Sequence, residues 1–282
     1  MMWGETANSI TRGYDLLAVT TPGDEGAVRG TSGWMAGFRA EEHRREDRYL
    51  EDPFAQVLVP AGERPAVGDE APNAMVIIRG RLVDETVLSA VEEGVRQIVS
   101  LGAGSDTRAY RLRLPGDLHY IEVDLPGQLA EKAGLLEDFR ASCRVSRLEV
   151  DLRGEWGLEG FDPAVPSLWT VEGVFYYLRE EQIGDVLRKI TERSVPGSWL
   201  AFDVPHPGYL AAAENQGFLR FMAERGSGFT GAMADPAACL ARYGWEAEAH
   251  LQGDLNGVGW VPPLPGRLAR RQEIWFVRAR KA

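Results

Sequence analysis

The stretch VSLGAGSDTRAYRL, residues 99–112, decides how this chain folds. Residues 99–101 are typical of the end of a buried β-strand. Gly102 and Gly104 follow at once, and glycines in this position let the backbone turn sharply and approach a ligand closely. The stretch therefore predicts a ligand site at the carboxyl end of a strand in an α/β protein.

Strand-like and helical segments alternate on both sides of this stretch. Five strand-like runs lie at 96–104, 118–126, 143–152, 166–178 and 197–205. Alternation with helices predicts right-handed βαβ units and a doubly wound, mainly parallel sheet. Two more strand-like runs, at 244–251 and 273–280, have no helical pattern between them, so we expect a C-terminal antiparallel hairpin at one sheet edge.

The residues before the first strand predict an N-terminal helical cap. Residues 1–30 are rich in glycine, threonine and proline, which is typical of a mobile arm or lid. Residues 34–50 are helical in pattern, and residues 73–93 carry apolar side chains at helical spacing. We therefore expect an arm and cap over 1–93 and the main α/β domain over 94–282, packed as one unit.

Composition excludes several classes of partner. Acidic residues outnumber basic ones by 42 to 31, and the net charge of −11 argues against nucleic acids and anionic membrane surfaces. The 2 cysteines predict neither a disulfide framework nor a zinc site, and no metal site is expected. No uninterrupted run of about 18 apolar residues occurs, so we expect a cytosolic protein.

The glycine turn resembles a dinucleotide fingerprint but departs from it. That fingerprint is G-x-G-x-x-G, followed by an acidic residue about 20 positions later that binds the ribose. Thr107 occupies the third glycine position, whereas the acidic residue is present as Asp124 at the end of IEVD. The pattern favours adenosine binding without a tightly bound pyrophosphate. A nicotinamide-dependent oxidoreductase is an alternative that would need the third glycine.

Acidic residues also end two later strands. Asp151 and Glu172 would meet Asp124 at one sheet edge, because the carboxyl ends of parallel strands lie together. Asp151 is equally well explained as a cap on the next turn. Glu172 lies between apolar segments, where a carboxylate is costly unless it is hydrogen-bonded, so a functional role is favoured.

Four motifs in fixed order resemble the leucine carboxyl methyltransferase family, which includes bacterial polyketide O-methyltransferases. They are LGAGSDTRAYRL (101–112), IEVDLP (121–126), VDLR (150–153) and EGVFYYL (172–178). The segments RAEEHRREDRYLEDPFA (39–55) and IIRGRLVDE (77–85) are similar to the bacterial branch. The resemblance covers about residues 32–205. Ser105 departs from it, because bacterial members often carry leucine or phenylalanine there.

The resemblance implies a seven-stranded sheet and S-adenosylmethionine as cofactor. Arg79 would then pair with the methionine carboxylate, and Glu172 would lie near the amino group; Arg81 is the competing arginine. The remaining cofactor-binding residues that the resemblance implies are Gly102 and Gly104 under the methionine, Asp124 at the ribose, and Asp151 and Leu152 at the adenine.

The implied reaction is O-methylation of a carboxylate or hydroxyl of a small, natural-product-like molecule. A carboxylate needs no general base, whereas a phenol benefits from one, and His206 after the fifth strand is the candidate. Tyr176 is a second candidate catalytic residue. The apolar residues of 216–230 are candidate pocket walls, although core packing explains most of them equally well: Phe218, Phe221, Met222 and Phe229. Two alternatives stay open: methylation of a protein or peptide C-terminal carboxylate, and cofactor binding without catalysis.

Overall fold

A seven-stranded sheet forms the centre of the structure, a computed structural model that describes residues 24–60, 72–269 and 272–282. The strand order is β3-β2-β1-β4-β5-β7-β6, and every pair among β1 to β5 is parallel. The seven-stranded, mainly parallel sheet is therefore confirmed. Its strands are β1 Gln97–Leu101, β2 His119–Asp124, β3 Arg144–Glu149, β4 Leu168–Val171, β5 Trp199–Pro205, β6 Trp245–Leu251 and β7 Ile274–Lys281.

The last two strands form the predicted antiparallel pair. β7 lies between β5 and β6 and is antiparallel to both, with Ala279 opposite Leu200 on one side and Ala247 on the other. Within the part of the chain that the structure describes, β6 is therefore the outer edge strand, and it joins the sheet only through β7.

Helices cover both faces of the sheet. α2 packs Val83 and Val87 against Ile98 of β1, whereas α5 packs Val186 and Ile190 on the opposite face, against a cluster that includes Val99. Adjacent residues of β1 thus face different helices, as the pleat of a strand requires. The α-helices are α1 Asp24–His43, α2 Pro72–Glu92, α3 Arg108–Arg111, α4 Gln128–Leu135, α5 Glu180–Glu192, α6 Pro207–Ala211, α7 Gln216–Glu224 and α8 Pro236–Ala241. No helix among the described residues has the length and apolar character needed to cross a bilayer.

Three boundaries differ clearly from the sequence-based expectation. The strand expected over 166–178 ends at Val171, because Gly173 turns the backbone with a φ of 65° and a 3₁₀ helix, Phe175–Tyr177, follows. The segment expected as an arm is helical from Asp24 onward, and the helix expected over 34–50 ends at His43. Glycine and threonine have low helix propensity, so composition alone did not predict the helix from Asp24 onward. Residues 1–23 lie outside the described residues, and the division at residue 93 stays a prediction.

Candidate cofactor site

Neighbouring strands end at the same level of the sheet. Leu101 of β1 pairs with Val123 of β2 and with Val171 of β4. Val171 in turn pairs with Phe202 of β5. The next residues along these four strands are Gly102, Asp124, Glu172 and Asp203. A glycine thus lies in one row with three carboxylates, and only Asp203 was absent from the predicted site.

The turn after β1 needs its glycines. Gly102 has a φ of 69°, and a Cβ atom there would lie 2.2 Å from Cγ2 of Val174, so a larger residue would be both strained and obstructed. Its N–H donates to the Val123 carbonyl at 2.8 Å. Two residues later, the Gly104 N–H donates to Oδ2 of Asp124 at 2.6 Å. The turn therefore lies directly against the end of β2.

Asp124 is a carboxylate held by backbone donors. Besides Gly104, the N–H of Leu125 donates to its Oδ1 at 2.7 Å. Burial raises the pKa of Asp124, and these two N–H groups oppose the rise. Each oxygen accepts one hydrogen bond from the backbone and keeps a further lone pair, so the carboxylate can also accept hydrogen bonds from a ligand's hydroxyls.

Arg79 of α2 lies across the ends of β4 and β5. Its Nη1 donates to Oδ2 of Asp203 at 3.0 Å, and its Nε lies 3.7 Å from Oε2 of Glu172. Burial opposes the charge, but these two carboxylates outweigh it and raise the pKa of the guanidinium. Among the described residues, no hydrogen bond uses the Nε or Nη2 hydrogens. Arg81 is turned elsewhere and pairs with Glu85 at 2.6 Å.

Arg108 is a buried cation that the sequence-based prediction did not include. It contacts both oxygens of Glu172, with Nη2 3.1 Å from Oε2, and its Nε donates to Asp84 at 2.6 Å. Arg111 donates to both oxygens of the same Asp84 at 2.6 Å. The motif SDTRAYR supplied a signal, because two arginines three positions apart share one face of a helical turn.

The predicted adenine residues lie after β3. The Asp151 carboxylate pairs with Arg153 at 2.6 Å in an exposed position, and this arginine lowers the pKa of Asp151. Leu152 is buried in the apolar core beside Trp156. No described contact joins Asp151 to Asp124 or Glu172, so the adenine contacts stay a prediction.

Tyr176 is buried beside Asp203. Its hydroxyl donates to Oδ2 of Asp203 at 2.7 Å, and burial together with this carboxylate raises its pKa well above the usual range. The hydroxyl therefore stays protonated, and its hydrogen is committed to Asp203. A catalytic role for Tyr176 stays a prediction.

An aromatic cluster extends outward from Tyr176. The Phe229 ring lies at its centre, with ring centroids 4.9 Å from Tyr176, 5.5 Å from Tyr177 and 5.7 Å from Phe218. Tyr209 packs on the same ring at 6.5 Å. Tyr177, Phe218 and Phe229 are only partly buried, so the outer part of the cluster reaches the surface.

His206 caps the start of α6. Its Nδ1 accepts the N–H of Gly208 at 3.0 Å and lies 3.4 Å from Oε2 of Glu273. In a neutral ring with this cap, the hydrogen is on Nε2. A role as general base therefore requires Nδ1 to release Gly208, and the role stays a prediction.

Helix α1 lies over the glycine turn. Arg39 donates from Nη2 to the carbonyl oxygen of Ser105 at 2.6 Å and to its Oγ at 3.0 Å, and from Nε to Asp52 at 2.9 Å. The Ser105 hydroxyl donates to the Ser32 carbonyl at 2.9 Å. The residue that departs from the bacterial pattern thus joins the helix to the turn.

Sequence comparisons identify relatives along most of the chain. The model of the leucine carboxyl methyltransferase family matches residues 33–191. A protein of Streptomyces avermitilis is 34% identical over 247 residues, which cover 79% of this chain and 84% of the relative. A protein of Saccharopolyspora erythraea is 35% identical over 256 residues, covering 83% and 88%. Both carry names that describe candidate S-adenosyl-L-methionine-dependent methyltransferases.

Solved structures share the fold at low sequence identity. A DUF574 family protein from Streptomyces avermitilis has a TM-score of 0.54 at 16% identity, over 88% of this chain and 97% of that one. A candidate methyltransferase from Thermobifida fusca has a TM-score of 0.52 at 19% identity, over 74% and 82%. These structural similarities support the fold alone. Membership of the family rests on the family match and on the two sequence relatives. The chain belongs to the leucine carboxyl methyltransferase family.

Proposed function

We propose that this S-adenosylmethionine-dependent methyltransferase methylates an oxygen atom, either a carboxylate or a phenolic hydroxyl, of a small natural-product-like molecule. The observation that carries the proposal is the row of Gly102, Asp124 and Glu172 at the strand ends, with Arg79 lying across it. When bound, S-adenosylmethionine supplies an electrophilic methyl group on a sulfonium centre. The enzyme's part is to bind, align and exclude water.

The residues present fit this cofactor. The Nε and Nη2 edge of Arg79 is the edge that binds a carboxylate with two parallel hydrogen bonds. Glu172 beside it would take the cationic amino group, and Asp124 would accept hydrogen bonds from the ribose hydroxyls. Gly102 and Gly104, both with positive φ, turn the backbone sharply between these groups.

The aromatic cluster supports an acceptor with an apolar or ring-bearing body. It adjoins the Arg79–Asp203 pair through Tyr176, so an acceptor beside the methionine end would meet rings rather than charges. Aromatic rings bind flat apolar molecules through buried area and stacking. The family's name favours a carboxylate as the reacting group. The aromatic cluster favours a phenol as the reacting group to the same degree.

His206→Ala distinguishes the two oxygens. A carboxylate acceptor is ionised at neutral pH, so its methylation should continue nearly unchanged in the variant. A phenol has a pKa near 10, and the loss of a working base should cost about 10²–10⁴-fold in rate. Rates of the wild type and the variant should therefore be nearly equal in the first case and should differ widely in the second.

The decisive experiment measures cofactor binding and then screens acceptors. S-adenosylhomocysteine should bind in calorimetry, with NADH as the negative control, and a panel of aromatic carboxylic acids and phenols should yield a methyl ester or ether by mass spectrometry. Binding of NADH instead would overturn the proposal. Methylation found only on nitrogen, carbon or a peptide carboxylate would overturn the assigned acceptor, and binding without any acceptor would favour a non-catalytic protein.

A further inference from the structure

We propose that Asp203 is a positioning residue that aims the Arg79 guanidinium at the cofactor. The inference rests on the proposed contact between Arg79 and the methionine carboxylate. Asp203 was not among the residues that the sequence motifs predicted. Its proposed role is to orient the Arg79 guanidinium, and it does not contact the reacting atoms.

Asp203 is completely buried and collects donors from three separate segments. Its Oδ1 accepts the N–H of Gly173 at 2.7 Å, and its Oδ2 accepts Nη1 of Arg79 at 3.0 Å and the hydroxyl of Tyr176 at 2.7 Å. The carboxylate thus joins α2, the turn after β4 and the 3₁₀ helix to β5. Its two oxygens together accept three hydrogen bonds, and this fixes the orientation of the group.

A buried carboxylate in this position is not explained by stability alone. Its neighbours in β5, Phe202 and Val204, are apolar and buried, and the β5 strand is buried at every residue. Removing an ion pair from water is expensive, and well-packed apolar residues of similar volume often stabilise a protein equally well or better. The charge at Asp203 therefore points to a requirement for its geometry.

The geometry explains what Asp203 does for Arg79. A guanidinium is planar, so fixing Nη1 sets the direction of the whole group. With Nη1 held by Asp203, the opposite Nε and Nη2 edge remains for a ligand, and Glu172 lies too far from Nε for a hydrogen bond, at 3.7 Å. Without Asp203, Arg79 would turn toward Glu172 and present a different edge.

The test is a double-mutant cycle on S-adenosylhomocysteine affinity. Asp203→Asn keeps the size of the side chain but removes its charge, and it should weaken binding about 10-fold to 100-fold. In an Arg79→Lys background, where no planar group remains to be aimed, the same change should cost about threefold or less. Thr191→Val is the control for stability, since it removes the partly buried acceptor of the Trp245 indole N–H, away from the candidate site. It should lower the melting temperature and leave affinity unchanged.

Each outcome decides one hypothesis. Wild-type protein that does not bind S-adenosylhomocysteine contradicts the proposed function, whereas wild type and Asp203→Asn binding equally well contradicts only the role of Asp203. Additive losses of affinity in the cycle would also overturn the role of Asp203.

If Asp203→Asn does not fold, a second variant tests the proposal. Asp203→Glu keeps the charge and displaces it by one methylene, so it should still bind S-adenosylhomocysteine more weakly than the wild type. Failure of both to fold while Arg79→Lys folds would assign Asp203 to folding instead.

Discussion

Asp124, which lies against the glycine turn, has a raised pKa that makes its charge sensitive to pH. It accepts the N–H groups of Gly104 and Leu125, and yet burial raises its pKa above the ordinary value of 3.8. As the pH falls, this carboxylate therefore takes up a proton earlier than an exposed aspartate would. Because ribose hydroxyls donate to the ionised form, cofactor affinity should fall as the pH drops through the raised pKa.

Calorimetry with S-adenosylhomocysteine between about pH 7.5 and pH 4 tests this dependence. Asp124→Asn should weaken binding by about 1.5–3 kcal/mol at neutral pH, because the ligand loses a charged acceptor. It should also make the acidic decline smaller, since nothing at that position titrates, whereas Glu172, whose pKa burial also raises, still takes up a proton. Wild-type affinity that stays constant throughout the range would contradict the assignment.

Gly102 shows how little room the turn leaves. A Cβ atom there meets Val174, whereas one at Gly94, which also has a positive φ, meets nothing within 4 Å. Gly94→Ala should therefore cost only the left-handed backbone strain, about 1–2 kcal/mol. Gly102→Ala should cost clearly more in denaturant unfolding, and adding Val174→Ala should recover part of the difference. Equal costs for the two single variants would show that the turn accommodates a methyl group.

At the scale of elements, the sheet could be predicted and the contacts between elements could not. Alternating strand and helix patterns leave few topologies, and a glycine pair after a strand indicates where a ligand binds. Asp203 and Arg79 are 124 positions apart, and their pairing depends on how α2 packs over β5. The sequence did contain one sign of Asp203, because FDVP (202–205) places an aspartate near the end of a strand, as IEVD (121–124) does with Asp124. The start of α1 was not predicted because its glycine and threonine residues have low helix propensity.

The contact between α1 and the glycine turn leads to a prediction about that helix. Ser105→Ala removes the hydroxyl that donates to Ser32 and accepts from Arg39, so it should cost about 1 kcal/mol. Hydrogen exchange should quicken in residues 31–39. Ser142→Ala, which removes a hydroxyl that lies 2.9 Å from the carbonyl oxygens of both Ala109 and Leu112, is the matched control and should leave α1 protected. Unchanged exchange in α1 would show that Ser105 does not fasten it.

At the scale of the whole molecule, the candidate site joins elements that are distant in sequence. Arg79 of α2, Gly102 after β1, Asp124 of β2, Glu172 after β4 and Asp203 of β5 all meet there. A ligand bound across them restrains most of the sheet at once. Binding should therefore oppose unfolding of the entire α/β domain and not only of one loop.

S-adenosylhomocysteine should accordingly raise the melting temperature. At about 100 times its dissociation constant, a ligand that binds only the folded state stabilises it by about 2.7 kcal/mol, which corresponds to about 5–10 °C for a chain of this length. Differential scanning fluorimetry measures the shift, with NADH as the inert control. Arg79→Lys should reduce the shift and Arg81→Lys should preserve it. Equal shifts in the two variants would mean that the wrong arginine was assigned.

The position of β7 between β5 and β6 has a consequence for how the protein is made. A ribosome delivers β6 before β7, but β6 joins the sheet only through β7, with Ala247 opposite Ala279. While β7 is still inside the exit tunnel, β5 ends the nascent sheet with an unpaired edge, and β6 has no strand to pair with. During this interval the unpaired edge of β5 is open to non-native strand pairing, and pairing with β7 removes that risk.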